Sequence, residues 1–171
     1  MTWHRKLQSD PGFQQMDITI PSVLKSLASA GTAAKELTAW WKRAKGDSRS
    51  LIGELKDNLT YLDIVADDGV DLGEVIDKIS VSAYKRLSAA GFNFNTLKRS
   101  RISLYPSLEG TDLSSWAGKE TEDLVESIYD KINDLKIRYP LIHANESYRW
   151  NVRVNNIRKR IWLLLMHVRT K

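Results

Sequence analysis

The stretch Val154-Asn-Asn-Ile157-Arg-Lys-Arg-Ile161-Trp-Leu-Leu164-Leu-Met-His-Val168 places Val154, Ile157, Ile161, Leu164 and Val168 at steps of 3, 4, 3 and 4. That spacing lines one face of an α-helix with apolar side chains. From Ile161 onward, Trp162, Leu163, Leu165 and Met166 make the helix apolar almost all round except at His167. Its C-terminal end is therefore expected to be the most buried, with partners on more than one side. The helix is predicted to begin near Asn145 or Ser147.

The same alternation recurs upstream. Val125, Ile128, Ile132, Leu135 and Tyr139 define a third helix, which Pro140 is expected to stop. Ile52, Leu55, Leu59, Leu62 and Ala66 define a second, from about Ser50 to Ala66. Behind Pro21, a first seam of Val23, Leu27, Ala30, Ala34, Leu37, Trp41 and Ala44 runs toward Gly46, where Asp47 or Ser48 can cap the next start. The short Gly46-Asp47 connection predicts that the first and second helices form an antiparallel hairpin. Between residues 70 and 110 the pattern breaks into pieces. Asp71 can cap Leu72–Ile79, Ser80 or Ser82 can cap a helix through Leu87, Phe92-Asn-Phe-Asn reads as extended, and Asp112 can cap a turn holding Leu113 and Trp116. The expected architecture is all-α: a four-helix up-and-down bundle with a short-helix insert between the second and third long helices. One domain spans 21–171, with the insert at 70–110 and an N-terminal arm at 1–20.

Length and composition agree with a single core. The chain has 171 residues, 42% hydrophobic and 27% charged, and no apolar run of the ~20 residues that cross a bilayer. A cytoplasmic protein without a secretory signal is expected. With no cysteine, thiolate metal sites, disulfides and Cys nucleophiles are excluded. The net charge of +5 is the remainder of alternating blocks, 0 over 1–20, +4 over 21–53, −7 over 54–77, +6 over 78–108, −5 over 109–137 and +7 over 138–171. Such blocks suit pairing between helices of opposite sign, and the last could also face an acidic partner.

Motifs for nucleotide hydrolysis by a P-loop, for dinucleotide binding and for a hydrolase nucleophile elbow are absent. No metal site is expected, because the three histidines lack ligand spacing and the acidic run at Asp67–Asp77 lacks an EF-hand pattern. No cofactor is expected either. Arg149, Arg153, Asn156 and Arg160 fall on one face of the last helix, with Arg158 and Lys159 beside them and Tyr148 and Trp150 flanking. A guanidinium stripe of this kind suits phosphates and unstacked bases, or else the acidic helices of the same bundle. The basic cluster Lys85, Arg86, Lys98, Arg99 and Arg101 could extend that surface. Trp40 and Trp150 are candidate anchors for a protein partner.

Two pairs, Arg138 with His143 and Arg160 with His167, have the spacing of an Arg, four to six residues and a His. In this the chain resembles the HEPN superfamily of helical nucleotide-binding domains. The resemblance implies a metal-independent ribonuclease, with His as acid or base toward a 2′-hydroxyl and Arg holding the phosphate. The family places a polar residue after the Arg, where Tyr139 and Ile161 stand here. With so little catalytic equipment, the leading expectation is a non-enzymatic interaction protein that binds a protein partner or a copy of itself, in the manner of a bacterial accessory or defence protein. An RNA- or DNA-binding module and the ribonuclease are the alternatives.

Overall fold

The computed structural model describes residues 46–170, which are all-helical and contain no strand. The expected first helix, the arm and Trp40 lie outside the described residues. Three long helices carry the core: α1 (Asp47–Asp67), α4 (Thr121–Ile142) and α5 (Trp150–Arg169), with short α2 (Leu72–Val75) and α3 (Ser82–Ala89) between the first two. The predicted seams of these helices are buried except at their ends, where Ala66 is exposed and Tyr139 half-buried. Ile52, Leu55, Leu59 and Leu62 of α1 meet Val125, Ile128, Ile132 and Leu135 of α4 and the whole apolar end of α5 in one cluster. Every residue from Leu163 to Val168 is buried, as expected for a helix end with several neighbours.

Helix direction follows from the side-chain pairs. Thr121 meets His167 and Asp134 meets Arg153, so α5 runs antiparallel to α4. The chain leaving α1 descends along α4: Asp71 bonds Tyr139, Lys136 bonds the carbonyls of Ile76 and Ile79, and Tyr129 and Ala83 both reach Glu54. The α1 and α4 helices are therefore parallel to each other. The long insert makes this possible, because it carries the chain back to the starting end of the bundle before α4 begins.

Two of the insert's helix ends are completed by long helices rather than by their own residues. The Glu54 carboxylate accepts the N–H groups of Ala83 (2.8 Å) and Tyr84 (3.2 Å) at the start of α3. The Lys136 ammonium donates to the carbonyls of Ile76 (2.8 Å) and Ile79 (2.6 Å) beyond α2. An anion at a helix start and a cation beyond a helix end each match the local dipole. Asn58 adds a two-way clamp on the Ser80 backbone, at 2.6 and 2.8 Å. Asn95 fixes the start of α4 by accepting the Glu122 N–H at 3.0 Å and donating to the Glu120 and Glu122 carboxylates.

Several boundaries differ from the sequence reading. The α1 helix starts at Asp47 behind Gly46, whose φ of 54° is open to glycine, and no side chain caps it. Asp71 does cap α2, but that helix ends at Val75. The α3 helix runs through Ala89. Phe94–Thr96 is a 3₁₀ turn rather than extended chain, because Asn93 accepts the Asn95 N–H and turns the backbone; Phe94 is nevertheless buried, with Phe92 against its edge. Thr111, not Asp112, caps the turn Asp112–Trp116. Pro140 does not stop α4, which continues to Ile142. Tyr139 beside it packs edge-on against Trp150, and the Trp150 indole N–H donates to the His143 carbonyl, so tertiary contacts hold the last turn. Asn145 instead caps the 3₁₀ turn Glu146–Tyr148, and α5 begins at Trp150.

Candidate functional site

A cleft of about 590 Å³ opens between α4 and the first half of α5. Its cationic walls are Lys131 from α4 and Arg149 and Arg153 at the start of α5, with Asn156 one turn further on. Leu135, Val152 and Ile157 supply its apolar floor. The antiparallel packing of α4 and α5 is what brings residues from opposite ends of the two seams together here. Arg153 bonds Asp134 at 3.0 Å and lies over the Tyr148 ring at 3.9 Å, a guanidinium held by a carboxylate on one side and an aromatic face on the other. Asp134 also receives Arg138, four residues along the same helix.

Arg158, Lys159 and Arg160 point elsewhere. Arg158 is only 3% exposed and reaches back to α1, where it bonds Asp63 at 2.7 Å and Asp67 at 2.6 Å, with Asn155 accepting a third bond. Lys159 pairs with Asp112 at 3.3 Å. Arg160 donates to the Asn156 carbonyl and sits between Asp112 and the Trp116 ring, with its buried Nε unpartnered. Arg149 is exposed. Of the stripe, Arg149, Arg153 and Asn156 line the α4–α5 cleft, while Arg160 turns to Asp112 and Trp116. The insert's basic residues are dispersed: Arg86 pairs with Asp47, Arg101 with Glu120, and Lys98 donates to the Thr170 carbonyl near the chain end.

The two Arg–His pairs have different settings. His167 is 1% exposed, with Nε2 3.0 Å from Thr121 Oγ1, and it does not line the α4–α5 cleft. Arg160 faces Trp116, so the two side chains do not converge on one open space. His143 is exposed at the end of α4, its ring against Tyr139, while Arg138 is engaged by Asp134. Trp150 is half-buried between Tyr139 and Tyr148 and organises the α4–α5 turn. Among the described residues no group of His, Asp and Glu could hold a metal ion, and no helix is long and apolar enough to cross a membrane.

Burial, and then the nearby Lys98 cation, push the His167 imidazole down to about 4, against a backbone hydrogen bond at Ser100. The folded protein therefore keeps His167 neutral while the unfolded chain protonates it near pH 6.5. This contribution to stability is full above pH 6.5 and is lost as pH falls toward 4, about 3 kcal/mol across that window. Urea unfolding at pH 7 and pH 4.5 should show the loss. A His167→Gln variant, destabilised at pH 7, should lose correspondingly less on acidification.

Sequence reasoning did not single out Lys131, Ile137 or Leu141. Ile137 and Leu141 are 65% and 77% exposed, four residues apart on α4 and outside its buried seam. Apolar residues out of register with a seam are the signal that marks such a face. Compared with known proteins, the chain matches no family model, no curated protein and no solved structure.

Proposed function

We propose that this chain is a non-enzymatic helical interaction protein that binds a protein partner, or a second copy of itself, through the C-terminal face of α4. The observation that carries the reading is the exposed pair Ile137 and Leu141, with exposed Pro140 beside them on the last turn of the helix. Large aliphatic side chains left in water at i and i+4 form the ridge that helix-in-groove recognition uses. Exposed Arg138 beside it and Arg149 across the turn favour a partner surface with an apolar centre and an acidic rim. Engagement of Arg153, Arg158 and Lys159 by carboxylates of the same chain supports this reading over an RNA- or DNA-binding module. The interior position of His167 supports it over a ribonuclease. The first seam, Val23 to Ala44, would complete a four-helix bundle by covering α1, with one long crossover between the second and third helices.

The ridge is testable because both residues are outside the core. Ile137→Asp/Leu141→Asp should change stability by no more than about 0.5 kcal/mol, as surface substitutions do. The same variant should abolish the concentration-dependent rise in mass, measured by sedimentation, if the partner is a second copy. Photo-crosslinking from position 141 addresses a different protein: a discrete adduct lost when Ile137 is also changed to Asp supports the reading. A monomer at all concentrations that yields no such adduct rejects it.

A further inference from the structure

We propose that the α4–α5 cleft is a binding site for a phosphate-bearing small molecule, whose phosphate is held by Lys131, Arg153 and Asn156 and whose body lies on Leu135, Val152 and Ile157. The case rests on donors that the protein itself leaves unused. The Lys131 ammonium forms no hydrogen bond or ion pair among the described residues, nor does the Asn156 side-chain amide. Tyr148 Oη, on the cleft wall, is buried and unpartnered. Buried polar groups are nearly always satisfied, so the unpartnered Tyr148 hydroxyl, beside the free Lys131 and Asn156 donors on the same cleft, marks a place where an acceptor is missing.

Charge points the same way. Asp130 and Asp134 also line the cleft, but Asp134 already accepts from both Arg138 and Arg153. Lys131 is held below the ordinary lysine range by desolvation first and then by the Arg160 and Arg153 cations, which act more strongly on it than Asp134 and Asp130 do in the opposite sense. The field at the ammonium is thus net positive, and an anion would relieve it. A phosphate fits better than a carboxylate because it can accept simultaneously from an ammonium, a guanidinium and an amide. The cleft volume of about 590 Å³ is within the range of small-molecule sites and exceeds what a bare phosphate fills, and its apolar floor gives the rest of the ligand a surface. This site is separate from the Ile137–Leu141 ridge and does not depend on it.

Adenosine 5′-monophosphate, inorganic phosphate, adenosine and a short single-stranded RNA would be titrated into the full chain, with binding read by calorimetry. The expected result is saturable binding of the monophosphate, competition by inorganic phosphate and no binding of adenosine. Lys131→Met and Asn156→Ala should each weaken the monophosphate by about tenfold or more, with unaltered thermal unfolding. Lys85→Ala, an exposed cation on α3, should have no effect. Failure of both the monophosphate and inorganic phosphate to bind would overturn the site, as would affinity unchanged by Lys131→Met. Binding of RNA alone, reduced equally by Lys85→Ala, would also overturn it and identify general polyanion attraction instead.

Discussion

Replacing Glu54 by Ala is expected to cost about 4 kcal/mol, the largest effect of any single substitution considered for this protein. The carboxylate is 8% exposed and gathers four donors from three parts of the chain. Oε1 accepts from Tyr129 Oη at 2.8 Å and from the Tyr84 N–H at 3.2 Å; Oε2 accepts from Ser80 Oγ at 2.7 Å and from the Ala83 N–H at 2.8 Å. Hydrogen bonds to an ionised group contribute about 1.5–3 kcal/mol each, and they do not add when they share one acceptor group. The larger consequence is what remains after truncation. Tyr129 is fully buried, stacked on Tyr84 at 4.1 Å, and its hydroxyl would lose its acceptor. The first turn of α3 would lose the anion that completes it. Glu54→Gln should recover roughly half the loss, because the amide oxygen can still accept while its NH₂ faces donors. Chemical denaturation of the two variants measures both quantities, and a loss below about 1 kcal/mol for Glu54→Ala would show that the network is replaced by water.

This carboxylate also shows why part of the fold was legible in the sequence and part was not. The seams of α1, α4 and α5 are written locally, as apolar residues every three or four positions, and the structure buries all of them except Ala66 and Tyr139 at the ends of α1 and α4. The path of the insert is written in single long-range pairs. Glu54 with Ala83, Asn58 with Ser80 and Lys136 with Ile76 and Ile79 have no periodicity that a linear reading can detect. Those contacts return the chain along α4 and make α1 parallel to α4. A seam gives the face of a helix but not its direction. Pro140 carries a similar lesson: the proline signal is local, while Trp150 packing on Tyr139 is not.

For the candidate site, the shared face of Arg149, Arg153, Asn156 and Arg160 was readable from spacing, and so was its ambiguity. Whether such a stripe meets solvent or acid depends on which helix lies opposite. The acidic blocks offered two acceptors, and both are used: α1 takes Arg158 and α4 takes Arg153. Lys131 escaped attention because it stands in an acidic helix, where a lone lysine reads as a solvated i,i+4 partner. Only the fold places it opposite Arg153 and Asn156.

Arg158→Ala is expected to destabilise the protein by about 2 kcal/mol at pH 7, since the buried guanidinium takes with it its charge-assisted hydrogen bonds to the partly exposed Asp63 and the exposed Asp67. Asp63 is already held above the ordinary carboxylate value by burial, with the Arg158 hydrogen bond and charge opposing that rise and Asp67 and Asp68 adding to it. Removing the guanidinium removes both opposing influences, so the folded-state value rises further. A carboxyl whose folded value exceeds its unfolded value disfavours folding when ionised, and the penalty fades as pH falls toward the unfolded value near 3.9. The difference between Arg158→Ala and the parent should therefore be smaller at pH 4.5 than at pH 7, both measured by urea unfolding; His167 contributes equally to the two proteins and cancels. Arg158→Met keeps most of the apolar stem that packs between α1 and α5 and should lose less than Arg158→Ala. Pairing it with Asp63→Leu removes the more buried of the two carboxylates left without a counter-ion, and that double variant should fall within about 1 kcal/mol of the parent. If the double variant is instead as unstable as Arg158→Ala, the ion pair holds α5 against α1 by geometry that apolar packing cannot supply.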